Sequence, residues 1–183
     1  MKSIKNRTAF LIISLVVFIF VSCSMDHKIP KAKIKLLNFI PLAEKHPVLD
    51  IYNVNFTSDI AIDSLLKEIK GNPYLFCSLN NGNIDFDIED TSIDKPHLLG
   101  SFEKAEHILK KEKLHHYVAE VIFYNANGVS EGYLSKEQIK KQISGIECIS
   151  CKVINRFFMD TRKPYLSNPM CIPVKDILTA LDQ

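Results

Sequence analysis

The sequence predicts an α+β domain, a mostly antiparallel sheet with about four helices packed on it. Three observations lead there. Apolar residues recur with period two in some segments and period 3.6 in others. Asn-Gly pairs at Asn81-Gly82 and Asn127-Gly128 stand between apolar runs, where tight hairpin turns form. The helical stretches are separated by pairs of strands rather than by single ones, which argues against a parallel β-α-β winding.

Taken in order, "DIYNVNF" alternates Tyr52, Val54 and Phe56 against Asn53 and Asn55, as a half-buried strand does. In "SDIAIDSLLKEIKG", Ser58 or Asp59 can cap a helix whose inner face is Ile62, Leu65, Leu66 and Ile69, and Gly71 ends it. "YLFCSL" and "IDFDIED" flank "NNGN" as a hairpin. Ser101 then opens a helix, "FEKAEHILKKEKL", with Phe102, Ala105, Ile108 and Leu109 turned inward. "HHYVAEVIFY" is β-rich and turns at Asn127-Gly128 towards "VSEGYL". Ser135 with Gln138 forms a capping box for "KEQIKKQI", and Gly145 stands where that helix stops. "CISCKVINRFF" reads as a strand, residues 160–169 as a loop and "MCI" as a short strand. "PVKDILTALDQ" is the last helix, with Pro173 near its first turn.

The N-terminus has a different character. Lys2, Lys5 and Arg7 precede an uncharged apolar run of 13 residues, Ala9–Val21. A spanning helix needs about 20 such residues, so the run has the length and flanks of a secretory signal peptide. "FVSC", Phe20 to Cys23, resembles the lipobox of bacterial lipoproteins, with Ser22 and Val21 before the cysteine and Phe20 where leucine is usual. That resemblance implies cleavage before Cys23, lipidation of its thiol (palmitate among the acyl chains) and an anchored mature protein. Ser24 is compatible with outer-membrane sorting in Gram-negative lipoproteins, which would place the domain on the periplasmic face of the cell envelope. An ordinary cut near Ser24 would instead leave a soluble periplasmic protein. The organisation expected is a signal peptide over 1–22, a lipidated N-terminus and lysine-rich tether over 23–36, and a single domain over 37–183.

Residues 24–183 carry 23 − 3 = 20 basic and 21 acidic residues, so the mature chain is close to neutral. A nucleic-acid binder would carry a basic excess on its domain. Nucleic acid is therefore excluded as an expected partner.

With Cys23 assigned to lipid, Cys77, Cys148, Cys151 and Cys171 remain for an oxidising compartment, where disulfides are the default. Cys148 and Cys151 form a C-x-x-C. On an extended strand this odd spacing turns the two thiols to opposite faces, so each wants its own partner. Cys151 with Cys171 is the favoured pairing because it clips the strand to the segment entering the last helix; closing about 20 residues is worth roughly 3 kcal/mol in the chain-entropy model. Cys148 with Cys171 also satisfies the geometry, and Cys77, in an apolar strand, reads as a buried thiol. A thioredoxin-like dithiol would open a helix, whereas "KVINRFF" is β-branched and aromatic. A structural zinc site needs four ligands, and one C-x-x-C with the strand neighbours His115 and His116 does not supply them.

Asp85, Asp87 and Glu89 recur every second residue opposite Ile84, Phe86 and Ile88. This is the pattern of a solvated strand face, and also of an acidic docking face for a basic partner. It lacks the glycine and distal glutamate of a calcium loop. No G-x-S-x-G, H-E-x-x-H or phosphate loop occurs. No catalytic residue, metal or cofactor is expected. The function expected is a membrane-anchored lipoprotein whose domain binds another protein, as an envelope accessory subunit or an immunity-type inhibitor. The alternatives are a thiol-redox protein or enzyme using Cys148 and Cys151, and a small-ligand carrier.

Overall fold

A computed structural model of the chain describes residues 28–43, 46, 49–67, 72–79, 85–88, 91, 94–105, 114–125, 132–156 and 163–183. The expected signal peptide with Cys23, Gly71, both Asn-Gly pairs, Glu89, Ile108 and Leu109 lie outside them. In chain order the elements are β1 (Ile34–Pro41), β2 (Tyr52–Ser58), α1 (Ile62–Lys67), β3 (Tyr74–Ser78), β4 (His97–Lys104), β5 (His115–Tyr124), α2 (Lys136–Gln142), β6 (Cys148–Asn155), β7 (Tyr165–Leu166), β8 (Met170–Pro173) and α3 (Val174–Leu181).

All strand pairs are antiparallel, in the order β1-β2-β5-β4-β3-β6-β7, with β8 also on β6. The expectation of about four helices packed on the sheet needs correction. Among the described residues the helices are three and short, and the sheet curls into a half-barrel. The curl brings β1 against β8, and α3 packs on both. One change comes from Ser101–Lys104, which continue β4 instead of opening a helix, because Leu98 and Phe102 alternate onto the core side opposite Phe123 and Ala119.

Gly100 sits between those two inward residues, opposite Val121. A Cβ there would lie 1.8 Å from the Glu120 carbonyl oxygen, so only glycine lets β5 approach this closely.

The concave side holds the main core: Val54, Phe56, Leu75, Leu98, Tyr117, Phe123, Ile149, Val153 and Ile172, with Ile62 and Leu66 from α1, Ile139 from α2, and Ile177 and Leu181 from α3. The capping box of α2 forms as its sequence dictates, with Gln138 N–H donating to Ser135 Oγ and Ser135 N–H to Gln138 Oε1. Gly145, at φ 80°, follows that helix.

The boundary expected after residue 36 falls inside β1, and the fold is already engaged before that strand. Ala32 is buried, its N–H donates to Tyr165 Oη (2.9 Å), and its carbonyl accepts from Asn168 N–H (2.9 Å). Asp59, a candidate helix cap, instead accepts from Lys33 N–H at 2.8 Å. The two Ala32 bonds tie the N-terminal side of β1 to Tyr165 and Asn168, at the opposite end of the sheet.

Candidate functional site

β6 organises the chemistry. Its side chains alternate between the concave core and the outer face, and both sides are covered from Ile149 to Asn155. On the core side, Cys151 lies opposite Cys77 of β3 and is bonded to it, with Cα atoms 4.0 Å apart. On the outer side, Cys148 is bonded to Cys171 of β8, whose register partner is Ser150, with Cα atoms 5.7 Å apart. The odd spacing of the C-x-x-C therefore turns its two thiols to opposite faces. The favoured Cys151–Cys171 pairing is replaced, because Cys171 shares the outer face with Ser150 while Cys151 points into the core. Cys77 is a half-cystine instead of a buried thiol. The arrangement contains no vicinal dithiol at Cys148 and Cys151.

The outer face over β3 and β6 carries a second apolar cluster of Phe76, Phe86 and Ile154, with Tyr74, Leu99 and Leu166 against it. Phe86 comes from "DFDI", Asp85–Ile88, which keeps the in-out alternation of its sequence but is not a strand. It folds over the sheet, and β3 pairs instead with β4 and β6. Asp85 and Asp87 point outward, and Phe86 plugs inward against Phe76 at a ring separation of 5.8 Å.

Asp85 and Asp87 are both exposed, and each carboxylate accepts a hydrogen bond. Asp85 accepts from Lys152 Nζ at 2.6 Å, and Asp87 accepts from the Ile88 N–H at 2.7 Å. Lys152 itself is 4% exposed, donates also to the Phe86 carbonyl (2.5 Å) and lies 5.0 Å from the centre of the Phe86 ring. A buried ammonium is tolerated only with such partners. In return, the hydrogen bond from Lys152, and then its charge, hold the Asp85 carboxyl below the usual carboxylate range.

Further along, Thr91 N–H and Oγ1 both donate to the Ile88 carbonyl. Arg156 Nη2 donates to the Thr91 carbonyl (3.2 Å) and Oγ1 (3.0 Å). Asp85, Phe86 and Thr91 are thus fixed on the outer face by three separate contacts.

Beside them runs a groove of about 360 Å³, lined by Tyr74, Phe76, Leu99, Tyr124, Ser101, Thr91 and Arg156 together with Asn72, Pro73 and Gly100. Among the described residues its lining holds no carboxylate and one charged side chain, Arg156, which is exposed. Behind its aromatic wall His97 stacks between Phe76 and Tyr124, each 5.2 Å away, with its Nδ1 2.8 Å from the Lys95 carbonyl. Burial pushes the His97 imidazole below its ordinary range, against the opposing pull of that carbonyl. The stack continues through Tyr124 to the exposed Tyr133, 5.4 Å on. None of these residues stood out as a site in the sequence. The signal available was the density of aromatic residues at outward positions of three different strands, which only register brings together.

A second cavity, of about 550 Å³, lies beyond the β1–β2 hairpin and is lined by Ile40, Leu42, Leu49, Tyr52, Lys136 and Ala180 among others. Burial, and then the Asp50 charge, push the Tyr52 phenol up to about 12, so it is a neutral donor at physiological pH. Elsewhere Tyr117 Oη donates to Asp63 Oδ1 at 2.7 Å and ties β5 to α1, a structural bond. His115 and His116 lie side by side in β5, and among the described residues no three His, Cys, Asp or Glu side chains converge as metal ligands.

The two disulfides are compatible with an extracytoplasmic compartment, and no helix among the described residues is long and apolar enough to cross a membrane. Neither a known protein family, a curated protein nor a solved structure matches this chain.

Proposed function

We propose that this protein is exported, is held at the cell envelope by lipid on Cys23, and binds another protein through the groove on the outer face of β3 and β4. The observation that supports this reading is the make-up of the groove: four apolar or aromatic walls, Tyr74, Phe76, Leu99 and Tyr124, with an exposed guanidinium at Arg156. Tyrosine and arginine dominate binding energy at protein interfaces because they combine large buried area with directed hydrogen bonds. Among the described residues the lining holds one cation and no acid, which suits a segment that places an apolar side chain beside a carboxylate. Both edges of β4 are already paired, so recognition rests on side chains and does not add a strand.

The lipid part rests on the lipobox-like "FVSC" and on disulfides that suit an oxidising compartment. Mass spectrometry of the mature N-terminus tests it, and an unmodified Cys23 would sink it. The binding part is tested by crosslinking in membranes with wild type, Arg156→Ala and Tyr74→Ala. A partner captured by wild type and lost from both variants supports the groove; equal capture by all three rejects it.

One observation favours a second reading, a small-ligand carrier. The cavity of about 550 Å³ beside Tyr52 and Lys136 is in the size range of small-molecule sites. Native mass spectrometry of protein purified from membranes would reveal a retained ligand.

A further inference from the structure

The two disulfides lie on opposite sides of one strand. Cys77 and Cys151 are both fully buried in the concave core, between neighbouring strands. Cys148 and Cys171 lie on the outer face, with Cys148 half-buried and Cys171 exposed. Thiol–disulfide exchange requires a thiolate to reach a sulfur in line with the bond it breaks, so access decides which bridge reacts. We propose that Cys148–Cys171 is a thiol–disulfide exchange site for a dithiol reductant, while Cys77–Cys151 stays closed as long as the protein is folded.

The step balances as a two-electron transfer. A thiolate of the dithiol attacks the Sγ of Cys171, the more exposed residue of the pair; a mixed disulfide forms there, and Cys148 leaves as a thiolate that takes a proton. The second thiol of the reagent then attacks its own sulfur in the mixed bond. Cys171 leaves as a thiol and the reagent ends as its cyclic disulfide.

Exchange has a structural consequence, because this bridge is the covalent tie between β6 and the unit of β8 and α3. After reduction that unit is still held by the β6–β8 ladder, by Ile172, Ile177 and Leu181 in the core, and by the Lys140–Asp182 ion pair at 2.7 Å. The protein therefore stays folded, and residues 170–183 become the part that opens most readily. Since Ala180 and Gln183 line the larger cavity, that opening widens it.

The test uses the oxidised, purified full chain in native buffer. Dithiothreitol is added in steps, the reaction is quenched with iodoacetamide, and each cysteine is mapped by peptide mass spectrometry. Cys148 and Cys171 are expected to be labelled about tenfold or more faster than Cys77 and Cys151, whose bridge reacts only through unfolding. Hydrogen–deuterium exchange should then rise over 170–183 and stay unchanged in β3. Equal labelling of the two pairs, earlier labelling of Cys77 and Cys151, or no labelling without denaturant would overturn the proposal. Selective labelling with no rise in exchange over 170–183 would overturn the linked opening.

Discussion

The two halves of the sheet bury their strands differently. In β2 and β5 one face packs into the core, through Val54, Phe56, Tyr117, Ala119 and Val121, while Asn53, Asn55, Val118 and Glu120 are at least partly open to solvent. In β3 and β6 both faces are covered, by the main core on one side and by Phe86 and its neighbours on the other. Among the described residues only the second half is locked by disulfides, and its outer face carries most of an aromatic groove with a fixed arginine, completed by Tyr124 at the end of β5. The difference shows how one sheet supports two tasks. A strand covered on both faces is rigid enough to position a surface site, and a strand covered on one face serves mainly the core.

The comparison can be broken in several ways. The largest effect is expected from removing the core bridge. Its 74-residue separation corresponds to about 4 kcal/mol in the chain-entropy model, so Cys77→Ala with Cys151→Ala should lower urea-melt stability more than Cys148→Ala with Cys171→Ala, whose separation is 23. Comparable losses would mean that the doubly covered half draws no special stability from its core. Next comes the close approach of β4 and β5 at Gly100, where the halves join. Gly100→Ala forces a methyl against the Glu120 carbonyl and should cost about 3 kcal/mol, at the upper end of overpacking. Unchanged stability would show that β5 can retreat there.

Phe86→Ala should cost about 3 kcal/mol by emptying the outer cluster, whereas Val118→Ala on the open face should stay below about 1 kcal/mol. Similar values for the two would erase the distinction between the faces. The smallest effect concerns acid. The folded-state pKa of Asp85 is held below its unfolded value, first by the hydrogen bond from Lys152 and then by its charge. Its stabilising contribution is therefore complete above the unfolded carboxyl pKa and disappears as pH falls through the lower folded value. Asp85→Asn should have a lower Tm than wild type at neutral pH, and the two curves should converge in acid. A constant gap at all pH values would remove this pair from the acid response.

Legibility follows the same division. The alternation of Tyr52, Val54 and Phe56 was readable because their strand is open on one side, and so was that of Tyr117, Ala119 and Val121. β1 was not readable, because a register shift between Leu36 and Asn38 places both Leu36 and Phe39 towards the core and breaks the period of two. The "DFDI" segment alternated as a strand does, yet its alternation reflects one phenyl ring buried on top of the sheet instead of a ladder. The role of Lys152 was not readable either, since nothing nearby in sequence announced the carboxylate and carbonyl that receive it from residues 85 and 86.

By itself the sequence determined what depends on neighbours along the chain. The Ser135–Gln138 capping box spans one helical turn, Gly145 supplies the positive φ after it, and the odd C-x-x-C spacing sends two thiols to opposite faces of a strand. Only the tertiary structure decided what depends on register and curl: which cysteine each thiol meets, which face lies under a second apolar layer, and which aromatics line one groove. Those partners lie tens of residues apart, and their meeting is set by the pairing of whole strands, which no local pattern specifies.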